Sequence, residues 1–107
     1  MDNSEKEIAA RAAVKSLIGK PEGEDSITLF VEHHLAELEA DYFSNTYGTA
    51  MPEAIQIADS LVLVDSWSSE DDGHIDVFDF SLPDNVTNYL LSVRFSGDKV
   101  EEVSMES

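Results

Sequence analysis

The chain has 107 residues, 42% of them hydrophobic, with five Phe, three Tyr and one Trp, and it carries a formal net charge of −17. A domain of this length buries roughly two-thirds of the surface its unfolded chain exposes, so one core can form without staples and wholesale disorder is excluded. The sequence has no cysteine, which excludes a disulfide framework and a thiolate metal site.

The charge is unevenly placed. The six basic residues are Lys6, Arg11, Lys15, Lys20, Arg94 and Lys99, and none lies between Pro21 and Val93, the segment that holds most of the 23 acids. Such a field repels phosphate backbones and anionic lipid, so neither nucleic acid nor membrane is an expected partner, whereas a basic protein is. The start, Met1 to Glu7, lacks the basic opening and apolar run of a secretory signal. No stretch approaches the ~20 apolar residues of a membrane span, so the expected location is the cytoplasm.

In chain order, Ser4 and Glu7 have capping-box spacing, and Ile8, Ala9, Ala12, Ala13, Val14, Leu17 and Ile18 continue as an apolar stripe, which predicts a helix over about 4–18. Gly19 and Pro21 end it. Asp25 or Ser26 can cap a second helix over about 26–43, where Ile27, Val31, Leu35, Leu38 and Tyr42 recur at spacings of three and four. Pro52 suits the first turn of a short third helix over 52–59.

From Leu61 the pattern becomes β-like. Strands are expected at about 61–67, 74–82, 88–96 and 99–105, with Tyr89, Leu91, Val93 and Phe95 alternating strictly and Gly97-Asp98 forming a tight hairpin turn. Short connections imply antiparallel neighbours. The expected fold is therefore α+β: a single domain over residues 1–107, with two to three N-terminal helices on one face of a four-stranded antiparallel meander.

The densest polar stretch, Ser66 to His74, aligns with a calcium loop when Ser68 stands at position one and Asp79 at position twelve. The first ligand would be Ser and the last Asp, and the flanks read as strands, so a solvated turn is the better reading. His33 and Glu37 share a helical face and could hold zinc with His74 as a third ligand, but the spacing with both histidines on one face is missing. One histidine at the core edge and one in solvent is the simpler arrangement. Asp79 lies among Val77, Phe78, Phe80 and Leu82. Alternation favours Asp79 in solvent with Phe78 and Phe80 inward; a buried, hydrogen-bonded carboxylate is the other reading. There is no Gly-x-Ser-x-Gly elbow and no glycine-rich phosphate loop, so no catalytic residue and no cofactor are assigned.

The segments Asp79 to Pro83, Asn88 to Phe95 and Ser104 to Ser107, together with His33-His34-Leu35 on a helix, resemble a family of small acidic bacterial proteins known only as a domain of unknown function. Some families of that general type are immunity proteins, which neutralise toxins by binding them. The resemblance implies a fold and a bacterial origin, and carries over no catalytic residue.

The expected function is non-enzymatic: an acidic protein-binding module, of immunity type, for a basic partner protein, with Trp67, Glu70, Asp71 and Asp72 as partner-binding residues. The alternative is a small metal- or ligand-binding domain using His33, Glu37 and Asp79 or the Glu70–His74 turn. Nothing in the sequence indicates a homo-oligomer. Like-charge repulsion should weaken the compact state and salt should screen it, because the Debye length falls from ~30 Å at 0.01 M to ~8 Å at 0.15 M. The melting temperature is expected to rise with sodium chloride over that interval. A flat or falling trend in scanning calorimetry would show that the acids are compensated within the fold.

Overall fold

A computed structural model describes residues 2–107. Four helices precede a four-stranded sheet: α1 (Asn3–Ser16), α2 (Ile27–Glu37), α3 (Ala40–Tyr47), α4 (Ala54–Ser60), then β1 (Val62–Trp67), β2 (Val77–Ser81), β3 (Leu90–Ser96) and β4 (Lys99–Glu106). The strands lie in the order β1-β2-β3-β4, antiparallel throughout. The α+β meander read from the sequence is the fold observed. No helix among the described residues is long and apolar enough to cross a membrane.

The sheet faces follow from the register. Phe78, Phe80 and Leu82 with Leu91, Val93 and Phe95 point to the helices and join Ala10, Val14, Ile27, Phe30, Ile57 and Leu61 in one buried cluster. The other face carries the alternate residues: Trp67 pairs with Val77, Asp65 with Asp79, Asp79 with Ser92, and Arg94 with Glu102. The β3–β4 hairpin closes through Gly97 at φ 61°, a left-handed position that suits glycine at the first site of a two-residue turn.

α1 departs from the expected stripe. Its cap is Asp2, whose side chain accepts from the Glu5 N–H while Glu5 reaches back, so the capping box lies two residues ahead of Ser4 and Glu7. Ala10 and Val14 face the core, and Ile8 is exposed. The space flanking the buried stripe is taken by bases instead. Lys6 Nζ donates to the Ile75 carbonyl at 2.9 Å, and Arg11 donates to the Leu61 carbonyl at 2.6 Å with its guanidinium over the Phe80 ring. Lys15 pairs with Asp59. Long basic side chains lay apolar stems along the core edge while their heads meet carbonyls.

The expected helix over 26–43 is two helices. Leu38 is extended (φ −93°, ψ 153°), and α3 starts afresh behind Glu39. The break lets Tyr42 donate to the Pro83 carbonyl and Tyr47 bond Ser60, which ties α3 to the β2–β3 connection and to the end of α4. Ser26 precedes α2 without a side-chain cap; its hydroxyl donates to Gly23 instead. Pro52 stands before α4 rather than in its first turn, and Glu53 with Gln56 makes the capping box there. β2 begins at Val77 and β3 at Leu90, each later than expected, because residues on both approaches form turns.

Arg11 joins α1, α4 and the sheet, so Arg11→Ala removes a charged hydrogen bond and aromatic packing together. A loss of about 2 kcal/mol in urea unfolding is expected, whereas Ile8→Ala on the exposed side should stay within ~0.5 kcal/mol.

Candidate functional site

The open sheet face is built from the strand residues that turn away from the helices. β2 is central there, so even its outward residues are covered by neighbours: Val77 is 1% exposed and Asp79 6%. Asp79 therefore does not face solvent, which corrects the alternation-based expectation. Alternation did place it opposite Phe78 and Phe80, but that side of a central strand is roofed by the flanking strands. Trp67 Nε1 donates to Asp79 Oδ2 at 2.9 Å, and the Ser92 hydroxyl donates to Oδ1. The tryptophan is thereby pinned across the face with 40% of its surface exposed.

A shallow groove of about 400 Å³ follows this arrangement, with Trp67 and Asp79 at one side and Leu90, Arg94, Glu102 and Glu106 along the rest. Val62 and Val64 extend the apolar strip along β1, both exposed. β1 is an edge strand, yet it is poorly suited to pairing. The register shifts between Leu63 and Asp65, and Asp65 Oδ1 accepts from the Ser66 N–H. A bulge and an acidic residue on an edge both discourage strand addition.

The β1–β2 connection holds the other sequence-predicted residues. Asp72 accepts from the His74 N–H and from the Ser68 hydroxyl, and Asp76 accepts from the N–H and hydroxyl of Ser69. These hydrogen bonds hold the Asp72 and Asp76 carboxyls below the usual carboxylate range. The Asp76 backbone joins β1 to β3, donating to Trp67 and accepting from Phe95. Asp72 is thus an exposed loop staple, and Glu70 and Asp71 beside it are exposed without that role, Asp71 with φ 57°. A cleft of about 730 Å³ separates this loop from the β3–β4 hairpin, lined by Lys6, Glu70, Asp72, His74, Asp76 and Arg94 among others. It is the larger depression, but Lys6, Asp72 and Asp76 there are already engaged in holding the fold.

The metal candidates do not converge. His33 and Glu37 lie on α2, where His33 packs on the Tyr89 ring at 4.4 Å, and His74 lies on the β1–β2 loop. Among the described residues no three His, Cys, Asp or Glu side chains gather as a metal site.

Of the adjacent histidines it is His34 that enters the core, at 1% exposure, while His33 is half-buried rather than in solvent. His34 Nδ1 lies 2.7 Å from the Phe30 carbonyl, so it must carry the proton, and Nε2 then accepts from the Thr87 hydroxyl at 2.9 Å. Burial is the main force lowering its pKa; the Phe30 contact opposes this and His33 adds to it. The adjacent histidines gave no signal of which would be buried, because that depends on the turn at 83–89 folding back.

Compared with known protein families, curated proteins and solved structures, the chain matches none.

The depressed His34 pKa fixes the sign of a pH effect. As pH falls through the ordinary value of about 6.5, the unfolded chain takes up the proton first, so stability should begin to drop there and keep falling until the folded-state His34 is protonated in turn. The stabilisation by Asp72 and Asp76 is lost only below about pH 4, a separate window. Thermal melts should show the drop in the wild type and a flatter profile in His34→Gln; parallel profiles would assign the effect to another group.

Proposed function

We propose that the protein is a non-enzymatic, acidic binding module that docks on a basic partner protein, in the manner of an immunity-type inhibitor that covers its target. The observation that carries this reading is the division of charge in the folded chain. Lys6, Arg11 and Lys15 turn onto the fold, to two carbonyls and to Glu7 and Asp59. Of the acids between Pro21 and Val93, every one except Asp76 and Asp79 is exposed. The cations of α1 therefore serve cohesion, while the middle of the chain displays anions.

Exposed Trp67, Val62 and Val64 next to Asp65 and Glu70 add the arrangement common at docking surfaces, an aromatic and apolar centre with a polar rim. Among the partner-binding residues expected from the sequence, Trp67, Glu70 and Asp71 remain in that role. Asp72 is assigned to the loop.

Charge of this kind acts mainly on encounter, raising association from ~10⁵–10⁶ to ~10⁸ M⁻¹s⁻¹ at low salt. With a partner captured on the immobilised protein, the double variant Glu70→Lys/Asp71→Asn should associate about tenfold more slowly at low salt and show a shallower salt dependence. Asn keeps the left-handed backbone at position 71 tolerable, and Asp72 is left in place so that the loop survives. Unchanged association by a folded double variant would sink the reading.

A further inference from the structure

We infer that the groove on the open sheet face is the seat of an Arg or Lys side chain of that basic partner, held between the Trp67 ring and the Asp79 carboxylate. This rests on the reading of the protein as a binder of a basic partner and assigns that reading a location. Asp79 is a carboxylate at 6% exposure with two hydrogen-bond donors, the Trp67 indole and the Ser92 hydroxyl, both neutral. A carboxylate offers about four lone-pair sites, so about half of its acceptor capacity is unused by these two bonds. A buried charge is costly unless it is paired, and among the described residues no Lys or Arg nitrogen lies within ion-pair distance of Asp79.

The groove beside it carries more negative than positive charge. Glu102 and Glu106 lie on β4 along the same groove, and Arg94 is the single base lining it. Trp67 directs its N–H inward to Asp79 and still has 40% of its surface exposed, so the indole is fixed in place with ring surface left for contact. A guanidinium or ammonium group over such a ring, with a carboxylate at its edge, gains both cation–π attraction and a charge-assisted hydrogen bond. The hydrogen bond also pre-positions the indole, which lowers the entropy lost on docking. A β-strand partner on the β1 edge is disfavoured by the bulge and by Asp65, and a second copy of the chain is disfavoured by like charge on both surfaces.

Trp67 is the only tryptophan, so its emission reports on this groove alone. The test titrates the protein with a labelled oligo-arginine peptide at low ionic strength, reading peptide anisotropy for binding and Trp67 emission for location. The two signals should saturate together. Asp79→Asn should weaken binding about tenfold, the loss expected for one charge-assisted hydrogen bond. The rim variant Glu102→Gln/Glu106→Gln, with both changes on exposed residues, should weaken it several-fold. If Asp79→Asn fails to fold by circular dichroism, the rim variant and the emission signal carry the decision. Anisotropy binding with flat Trp67 emission, or wild-type affinity in the folded variants, overturns the groove assignment and leaves the acidic-binder reading standing. Absence of any peptide binding overturns both.

Discussion

The acids in the middle of the chain have no base among them, and the one element rich in cations is the first helix. How the two meet governs much of the architecture. Arg11 holds the carbonyl that leads into β1, and Lys6 holds the one that leads into β2. Those entries lie at opposite ends of an antiparallel hairpin, so one helix face fixes both ends of the same pair of strands. The contacts reach carbonyls and aromatic rings as well as the carboxylates of Glu7 and Asp59. A charged donor on a carbonyl gives a stronger bond than a neutral pair, and apart from Glu7 and Asp59 it leaves the carboxylates around α1 without these bases as partners. Cohesion and negative surface charge therefore come from the same placement.

The open sheet face depends on that arrangement. With every helix on the other side, nothing in the described chain covers the groove beside Trp67 except its own strands. The central strand is nevertheless buried on both sides, because Trp67 and Ser92 close over Asp79 from the strands flanking it. The result is a shallow grooved surface with one aromatic feature pinned at its side.

Much of this was legible in the sequence, and the parts that were not have physical reasons. The strict alternation from Tyr89 to Phe95 and the Gly97 turn gave β3, β4 and their pairing, since period-two patterns and tight turns are local signals. Alternation likewise put Asp79 opposite the phenylalanines, but whether the opposite side is wet depends on strand order, which is non-local. The break at Leu38 has no glycine or proline to announce it; it exists because Tyr42 and Tyr47 find partners far along the chain. Asp72 is displayed, and that it also ties the loop through Ser68 and His74 was not legible, because acids in a turn look alike until their hydrogen bonds are seen. Where the bases of α1 reach was not legible, since an amphipathic stripe says nothing about snorkelling side chains.

Asp79 separates a structural role from a functional one more sharply than any other residue. Holding the Trp67 indole and the Ser92 hydroxyl requires two acceptor positions, and a neutral amide oxygen or a backbone carbonyl supplies acceptors without the desolvation cost of a charge. The full negative charge adds little to those two neutral bonds beyond strengthening them. Its distinctive capacity is to attract a cation, and the base nearest by register, Arg94 two residues beyond Ser92 on the same face, is not within ion-pair distance. The charge is thus buried enough to be weakly screened by solvent yet open on the side of the groove. At such a site an arriving guanidinium or ammonium meets a stronger field than the exposed acids around it provide. On the proposed reading, the exposed acids of the loop and helices draw a basic partner in from a distance, and the Asp79–Trp67 pair sets where one of its side chains comes to rest.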